Sequence, residues 1–176
     1  MLIVLSGSSG SGKNTIIREI QRLRPSVKVM KSCTTRKKRD EGDNAYYFLD
    51  EAEFREKIEN GDFFEFEEVH KGILYGILKS SLEEVKKDKV YMKDVDVHGS
   101  IKLKSVLKDK AKLVYLDVPK EVLRDRILKR GETEQSAELR LSRYDHEKSF
   151  IDKYDLVIEN KSLDESVRAI INEFDL

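Results

Sequence analysis

Lys13 stands at the end of Gly7-Ser8-Ser9-Gly10-Ser11-Gly12 and is followed by Asn14 and Thr15, so the spacing G-x-x-x-x-G-K comes directly after the apolar run Leu2-Ile3-Val4-Leu5-Ser6. Glycines at these places let successive backbone N–H groups turn inward without a Cβ in the way. A helix beginning at the lysine adds its positive end, and the ammonium reaches outer phosphates. The chemistry such a cradle suits is the binding of a nucleoside polyphosphate. The position after the lysine normally carries a Ser or Thr hydroxyl that ligates magnesium, and here it is Asn14. Oxygen donors remain: the Asn14 side-chain carbonyl, directly or through water, or the neighbouring Thr15 hydroxyl.

A second set of residues suits a smaller anion. Ser32-Cys33-Thr34-Thr35-Arg36-Lys37-Lys38-Arg39 sets two arginines three apart, with Tyr46-Tyr47-Phe48 soon after and Tyr75-Gly76 further on. Guanidinium forks donate paired hydrogen bonds to phosphate oxygens, and phenol hydroxyls add neutral donors, a combination suited to a monophosphate. Taken alone, the basic run reads equally as a solvated face. A third charged stretch carries Arg124, Arg126, Lys129, Arg130, Arg140 and Arg143 around Gly131 and reads as a mobile lid, with Arg124 and Arg126 as readily plain solvent-facing helix residues.

Elements must hold these groups in place. Apolar runs at Leu2 to Leu5, Val27 to Met30, Val90 to Val95, Leu113 to Leu116 and Leu156 to Ile158 alternate with helical patterns such as Ile16, Ile17, Ile20 and Leu23. That alternation predicts an α/β fold with a parallel sheet covered on both faces. Helix starts are signalled by Asp50 with Glu53, Ser81 with Glu84, Pro119 after Asp117, and Ser162 with Glu165. The expected organisation is one domain, 1–176. Its core comprises 1–31, 78–123 and 150–176, an inserted acceptor-binding subdomain spans 32–77, and a short lid spans 124–149.

Composition narrows the partners. With 34 basic and 34 acidic residues the net charge is zero, which gives no global pull toward nucleic acid or an anionic membrane. The apolar start is too short for a membrane span and leads into the glycine loop, and Cys33 is alone, so a cytoplasmic protein without disulfides is expected. No zinc-like cluster is visible, so a metal is expected only with the nucleotide. Nothing here fixes an oligomeric state.

The glycine loop, the T-T-R-x-x-R run, Y-x-F at Tyr46 to Phe48, F-x-E at Phe63 to Glu65, Tyr75-Gly76, D-x-D-x-x-G at Asp94 to Gly99 and the closing Tyr154-Asp155-Leu156-Val157-Ile158 occur in that order across nearly the whole chain. Together they resemble the guanylate kinase family. The resemblance implies a P-loop nucleoside monophosphate kinase core, ATP with Mg2+ as donor, and GMP, and dGMP with it, as acceptor. It implies that Gly7 to Thr15, Arg130 and Asn160 bind ATP, and that Ser32, Glu65 and Asp96 face guanine. Arg36, Arg39, Tyr46 and Tyr75 would hold the GMP phosphate, while Lys13, Arg36, Arg130 and Arg140 would stabilise the transferred group, with closure around both substrates. Carboxylates at 65 and 96 suit guanine, whose N1–H and amino group donate where adenine does not, and burial would sharpen the choice. Arg143, one turn past Arg140, shares that face. Asp94 reads as an outer-shell magnesium partner or as a strand-end acid, and Asn160 as an adenine neighbour or a turn residue.

Three departures from the family pattern stand out: Asn14 at the metal position, Ile77 where a Ser or Thr follows Tyr-Gly, and a short lid. The first two are similar to ribose 1,5-bisphosphate phosphokinases, which need no base-reading carboxylates. A non-catalytic guanylate-kinase-like module that binds phosphopeptides is a third reading, one in which the working glycine loop would be dispensable.

Overall fold

Leu2, Ile3, Val4 and Leu5 are all completely buried, as a strand without polar alternation must be when both its faces are covered. In the computed structural model, which describes residues 1–38, 46–70, 72–85 and 89–176, with the side chains of 69 and 70 left aside, this run is strand β1 (Leu2–Ser6). Next come α1 (Lys13–Leu23), β2 (Lys28–Val29), β3 (Ser32–Thr34), β4 (Tyr46–Phe48), α2 (Glu51–Glu59), β5 (Phe63–His70), β6 (Ile73–Leu78) and α3 (Lys79–Val85). The chain continues with β7 (Tyr91–Asp94), α4 (Val97–Leu107), β8 (Ala111–Asp117), α5 (Lys120–Leu128), α6 (Glu134–Leu141), α7 (Tyr144–Lys148), β9 (Leu156–Glu159) and α8 (Leu163–Glu173).

The chain divides into two compact units, Met1–Lys28 with Val90–Leu176, and Val29–Lys89. The first is built on a five-stranded sheet of order β2-β7-β1-β8-β9, in which β1 runs parallel to β7 and β8, and β8 parallel to β9. This is the expected α/β parallel architecture. Leu2 to Ser6 pair in register with Ala111 to Tyr115, so the turn after β1 emerges at the carboxyl end of the sheet, where open α/β sheets bind ligands.

The second unit is a four-stranded sheet of order β4-β3-β6-β5, with β6 antiparallel to both β3 and β5. It is wider than the 32–77 insertion expected. Strand β6 runs without a break into α3, whose first N–H, from Lys79, donates to the Asp62 carbonyl at 2.9 Å, and the helix therefore stays with this unit. For the same reason Ser81 does not cap a helix: it lies inside α3, buried, and the Ser-x-x-Glu pattern there is incidental. Capping works as read elsewhere. Asp50 and Glu53 form the full reciprocal box at α2, and Ser162 accepts from the Glu165 N–H at α8.

The stretch around Gly131 folds as α5, α6 and α7 around its own apolar cluster of Val118, Leu123, Ile127, Ala137, Leu141 and Tyr144. Among the described residues no helix is long and apolar enough to cross a membrane.

Candidate active site

The loop between β1 and α1 takes its shape from three glycines in the left-handed half of backbone space: Gly7 at φ +135°, Gly10 at +88° and Gly12 at +99°. Two of them also have no room for a side chain. A Cβ on Gly7 would lie 2.6 Å from the Leu116 carbonyl oxygen, and one on Gly12 would lie 2.8 Å from Asn160 Nδ2. Inside the loop the Ser11 hydroxyl is fully buried with no hydrogen-bond partner among the described residues, an orphan that an incoming phosphate oxygen would satisfy.

Lys13, half-buried at the first turn of α1, donates to the carbonyls of Gly7 at 2.5 Å and Ser8 at 3.2 Å. Burial draws its pKa below the ordinary lysine value, against Asp94, Glu147 and Asp96, which favour the charged form; Arg130 acts with burial. Asn14 and Thr15 are exposed beside it, and Asp94 ends β7 next to β1. The oxygen-only set of Asn14, Thr15 and Asp94 fits a hard cation such as Mg2+, one held mainly by the nucleotide's own phosphates. No group of three or more His, Cys, Asp or Glu able to hold a metal exists among the described residues.

Asn160 is neither a plain turn residue nor a side chain free to meet a base. It is buried, its Nδ2 donates to the Ser11 carbonyl at 2.6 Å and its Oδ1 accepts from the Ser166 hydroxyl at 2.8 Å, so it braces the glycine loop against α8. Truncating it leaves both partners buried and unmet. Asn160→Ala is therefore expected to cost about 2 kcal/mol and to lower the melting temperature by about 4–8 °C, checked by calorimetry without ligand.

The segment 124–149 gives the loop several more contacts. Arg140 donates to the Ser9 hydroxyl at 2.9 Å and pairs with Glu132 at 2.8 Å. Arg130 is exposed and adds positive potential at Lys13, while Arg143 is exposed just before α7. Arg124 is an exposed helix residue paired with Glu134. Arg126 is not: half-buried, it points its two terminal nitrogens at the Gly10 and Asn160 carbonyls, each at 3.4 Å. Helical spacing alone could not separate it from Arg124, which lies two residues earlier. Glu147, unmarked by any motif, accepts from the Ser8 hydroxyl at 2.5 Å. Beneath it, burial first and then Glu147 push up the pKa of the Tyr115 phenol.

In the second unit the register gathers the expected acceptor residues on one face of the sheet. Ser32 lies opposite Tyr46, Thr34 opposite Tyr75, and Glu65 opposite Ile77. Directly opposed residues share a face and alternate residues return to it, so Ser32, Tyr46, Glu65, Tyr75 and Ile77 lie together. Cys33, Phe54, Phe63 and Leu74 form the apolar cluster on the other side. Simple alternation would put Glu65 with Phe63 in that cluster. The ladder shifts register between them, with Phe63 opposite Leu78 and Glu65 opposite Ile77, and this bulge turns Glu65 to the polar face.

Gly76 is there because Phe63, stacked on Phe54, lies flat on its backbone, 2.6 Å from where a Cβ would be. The two threonines of T-T-R are structural. Thr34 Oγ1 donates to the Leu74 carbonyl and accepts from the Arg36 N–H, while Thr35 Oγ1 accepts from the Leu74 N–H. They set the Arg36 backbone, and its guanidinium rests 5.4 Å from the ring centres of both Tyr46 and Phe48. Arg39 lies outside the described residues.

Two burial expectations change. Glu65 is half-buried, and Asp96, in the first unit, is exposed because its carboxylate caps α4, accepting from the Gly99 N–H at 2.8 Å. One Asp96 oxygen is thereby spoken for.

The family model described as guanylate kinase matches residues 1–174. The chain is 37% identical to guanylate kinase of Thermotoga maritima, over 97% of this chain and 84% of that protein. It is 38% identical to guanylate kinase of Chlorobium luteolum, over 97% and 88%. The crystal structure of guanylate kinase from Anaplasma phagocytophilum superposes with a TM-score of 0.75 at 28% identity, covering 98% of this chain and 83% of that one.

Proposed function

The chain belongs to the guanylate kinase family, and from that premise we propose that it phosphorylates GMP, and dGMP with it, at the expense of ATP. An oxygen of the acceptor phosphate attacks the γ-phosphorus in line. One P–O bond forms there as the bond to the β–γ bridging oxygen breaks, and ADP leaves with the negative charge. Such a transfer needs positioning and charge neutralisation more than covalent help.

On the donor side, the inward N–H groups of Gly7 to Thr15 and the Ser11 hydroxyl receive phosphate oxygens. Lys13 exchanges its carbonyl partners for the outer phosphates, and Arg130 and Arg140 add charge from the lid, 124–149. Mg2+, held by Asn14 or Thr15 and by Asp94 through water, would draw charge from the phosphates. A cavity of about 800 Å³, in which Val118, Pro119, Val122 and Tyr144 stand among charged side chains, offers some apolar surface for the donor base. On the acceptor side, Arg36 bridges acceptor and transferred group, and Arg39, Tyr46 and Tyr75 take the GMP phosphate. Ser32, Glu65 and Asp96 read guanine. The reading places the enzyme in the cytoplasm with its nucleotides.

The single observation that carries this reading is the bulge in β5 that presents Glu65 beside Ser32, Tyr46 and Tyr75. A kinase for ribose 1,5-bisphosphate has no base for that carboxylate to read, and a phosphopeptide module has no use for an intact glycine loop. The test is ATP consumption with GMP, dGMP, AMP, UMP, CMP and ribose 1,5-bisphosphate in parallel. GMP and dGMP should lead by at least a hundredfold in kcat/KM, and preference for any other acceptor would overturn the assignment.

Ile77, buried beside Glu65, offers the base an apolar contact where a hydroxyl would hydrogen-bond it. Ile77→Ser is expected to raise the GMP over AMP ratio of kcat/KM about three- to tenfold, the range one hydrogen bond supplies. An unchanged ratio would mean that position 77 does not meet the base.

A further inference from the structure

His98, on α4, and His146, on α7, place their Nε2 atoms 3.2 Å apart in a hydrogen bond in which either ring can be the donor, a bond that a shared ion would replace. Their ring centres are 5.3 Å apart, and Phe150 sets its edge or face at 5.1 Å from each. Nothing in the transfer reaction uses either imidazole, and both side chains are exposed. Two nitrogens bound to one tetrahedral Zn2+ at the usual bond length stand about 3.3 Å apart, and closer to 2.9 Å where the angle at the metal is square. The observed spacing falls between these.

We propose that His98 and His146 form a two-imidazole clasp for a late first-row transition dication, Zn2+, Ni2+ or Cu2+. Imidazole is the nitrogen ligand such ions favour over the hard oxygen donors that suit Mg2+. No third His, Cys, Asp or Glu completes the set among the described residues, so water fills the remaining positions and the affinity is that of two ligands. Phe150 packs edge-on with both rings at 5.1 Å between centres. The position matters for the enzyme, because His146 is followed by Glu147, whose carboxylate accepts from Ser8 of the glycine loop, and His98 lies two residues beyond Asp96, the cap of α4. An ion in the clasp joins α4 to α7 and holds Glu147 at the loop.

The test is calorimetric titration of the untagged full chain with Ni2+ in the absence of nucleotide, beside His98→Ala, His146→Ala and the more conservative His98→Asn. The expected result is one saturable site that weakens at least tenfold in each variant, with the melting temperature of the unsubstituted protein raised by Ni2+ and those of the variants unmoved. Cu2+ bound at the site should show hyperfine coupling to two imidazole nitrogens in electron paramagnetic resonance. Binding that survives in His98→Asn, or no saturable binding to the unsubstituted chain, would overturn the proposal. These readouts use no substrate, so they stand or fall apart from the phosphoryl-transfer assignment.

Discussion

Lys13→Ala should lower kcat for GMP phosphorylation by on the order of 10²–10³, the cost of removing one preorganised donor to a transition-state charge, while the melting temperature stays within a few degrees. The asymmetry follows from what Lys13 touches. Without nucleotide its ammonium folds back on the Gly7 and Ser8 carbonyls, contacts that water replaces at little cost, and the glycine loop is shaped instead by Gly7, Gly12 and Asn160. With nucleotide, the same ammonium is the one positive side chain at the start of α1, while Arg126 and Arg140 are engaged with Gly10 and with Ser9 and Glu132. Steady-state kinetics with calorimetry on one preparation separates the two effects. A variant with near-normal kcat, or one that loses both activity and fold, would remove Lys13 from its assigned role.

Arg36→Ala is expected to be of similar severity, on the order of 10² or more in kcat, with a rise in KM for GMP that Lys13→Ala does not share. Arg36 is held before any substrate arrives: Thr34 accepts its backbone N–H, and its guanidinium lies over Tyr46 and Phe48. Little ordering remains to be done on binding, which is why a planar fork at this place is worth more than a flexible charge. Arg36→Lys should therefore recover only a small part of the loss. Kinetics with GMP varied at saturating ATP checks both variants, and full recovery by lysine would show that charge alone suffices.

Much of this was legible in the sequence because the physics is local. A glycine spacing that follows an apolar run is a short-range signal, and so are reciprocal caps such as Asp50 with Glu53. The parallel sheet follows from apolar runs alternating with helices, and the T-T-R-x-x-R run marks its own arginines. What could not be read depended on partners distant in sequence. Glu65 reaches the polar face only because the β5–β6 ladder slips at a bulge, and period-two alternation predicts the opposite side. Arg126 and Arg124 occupy equivalent-looking places in one charged helix, yet one meets the glycine loop and the other Glu134. Asn160 braces a loop 149 positions away, and Glu147 carries no motif although it sits on Ser8. Ser81 shows the reverse error, a capping pattern with no helix end beneath it.

The most direct measurement is phosphorus NMR of a reaction holding the protein, ATP, Mg2+ and GMP. The account predicts that the GMP phosphate signal is replaced by the two coupled signals of GDP in step with the conversion of ATP to ADP, with no inorganic phosphate released. Release of inorganic phosphate while GMP persists, or no turnover of ATP at all, would contradict it.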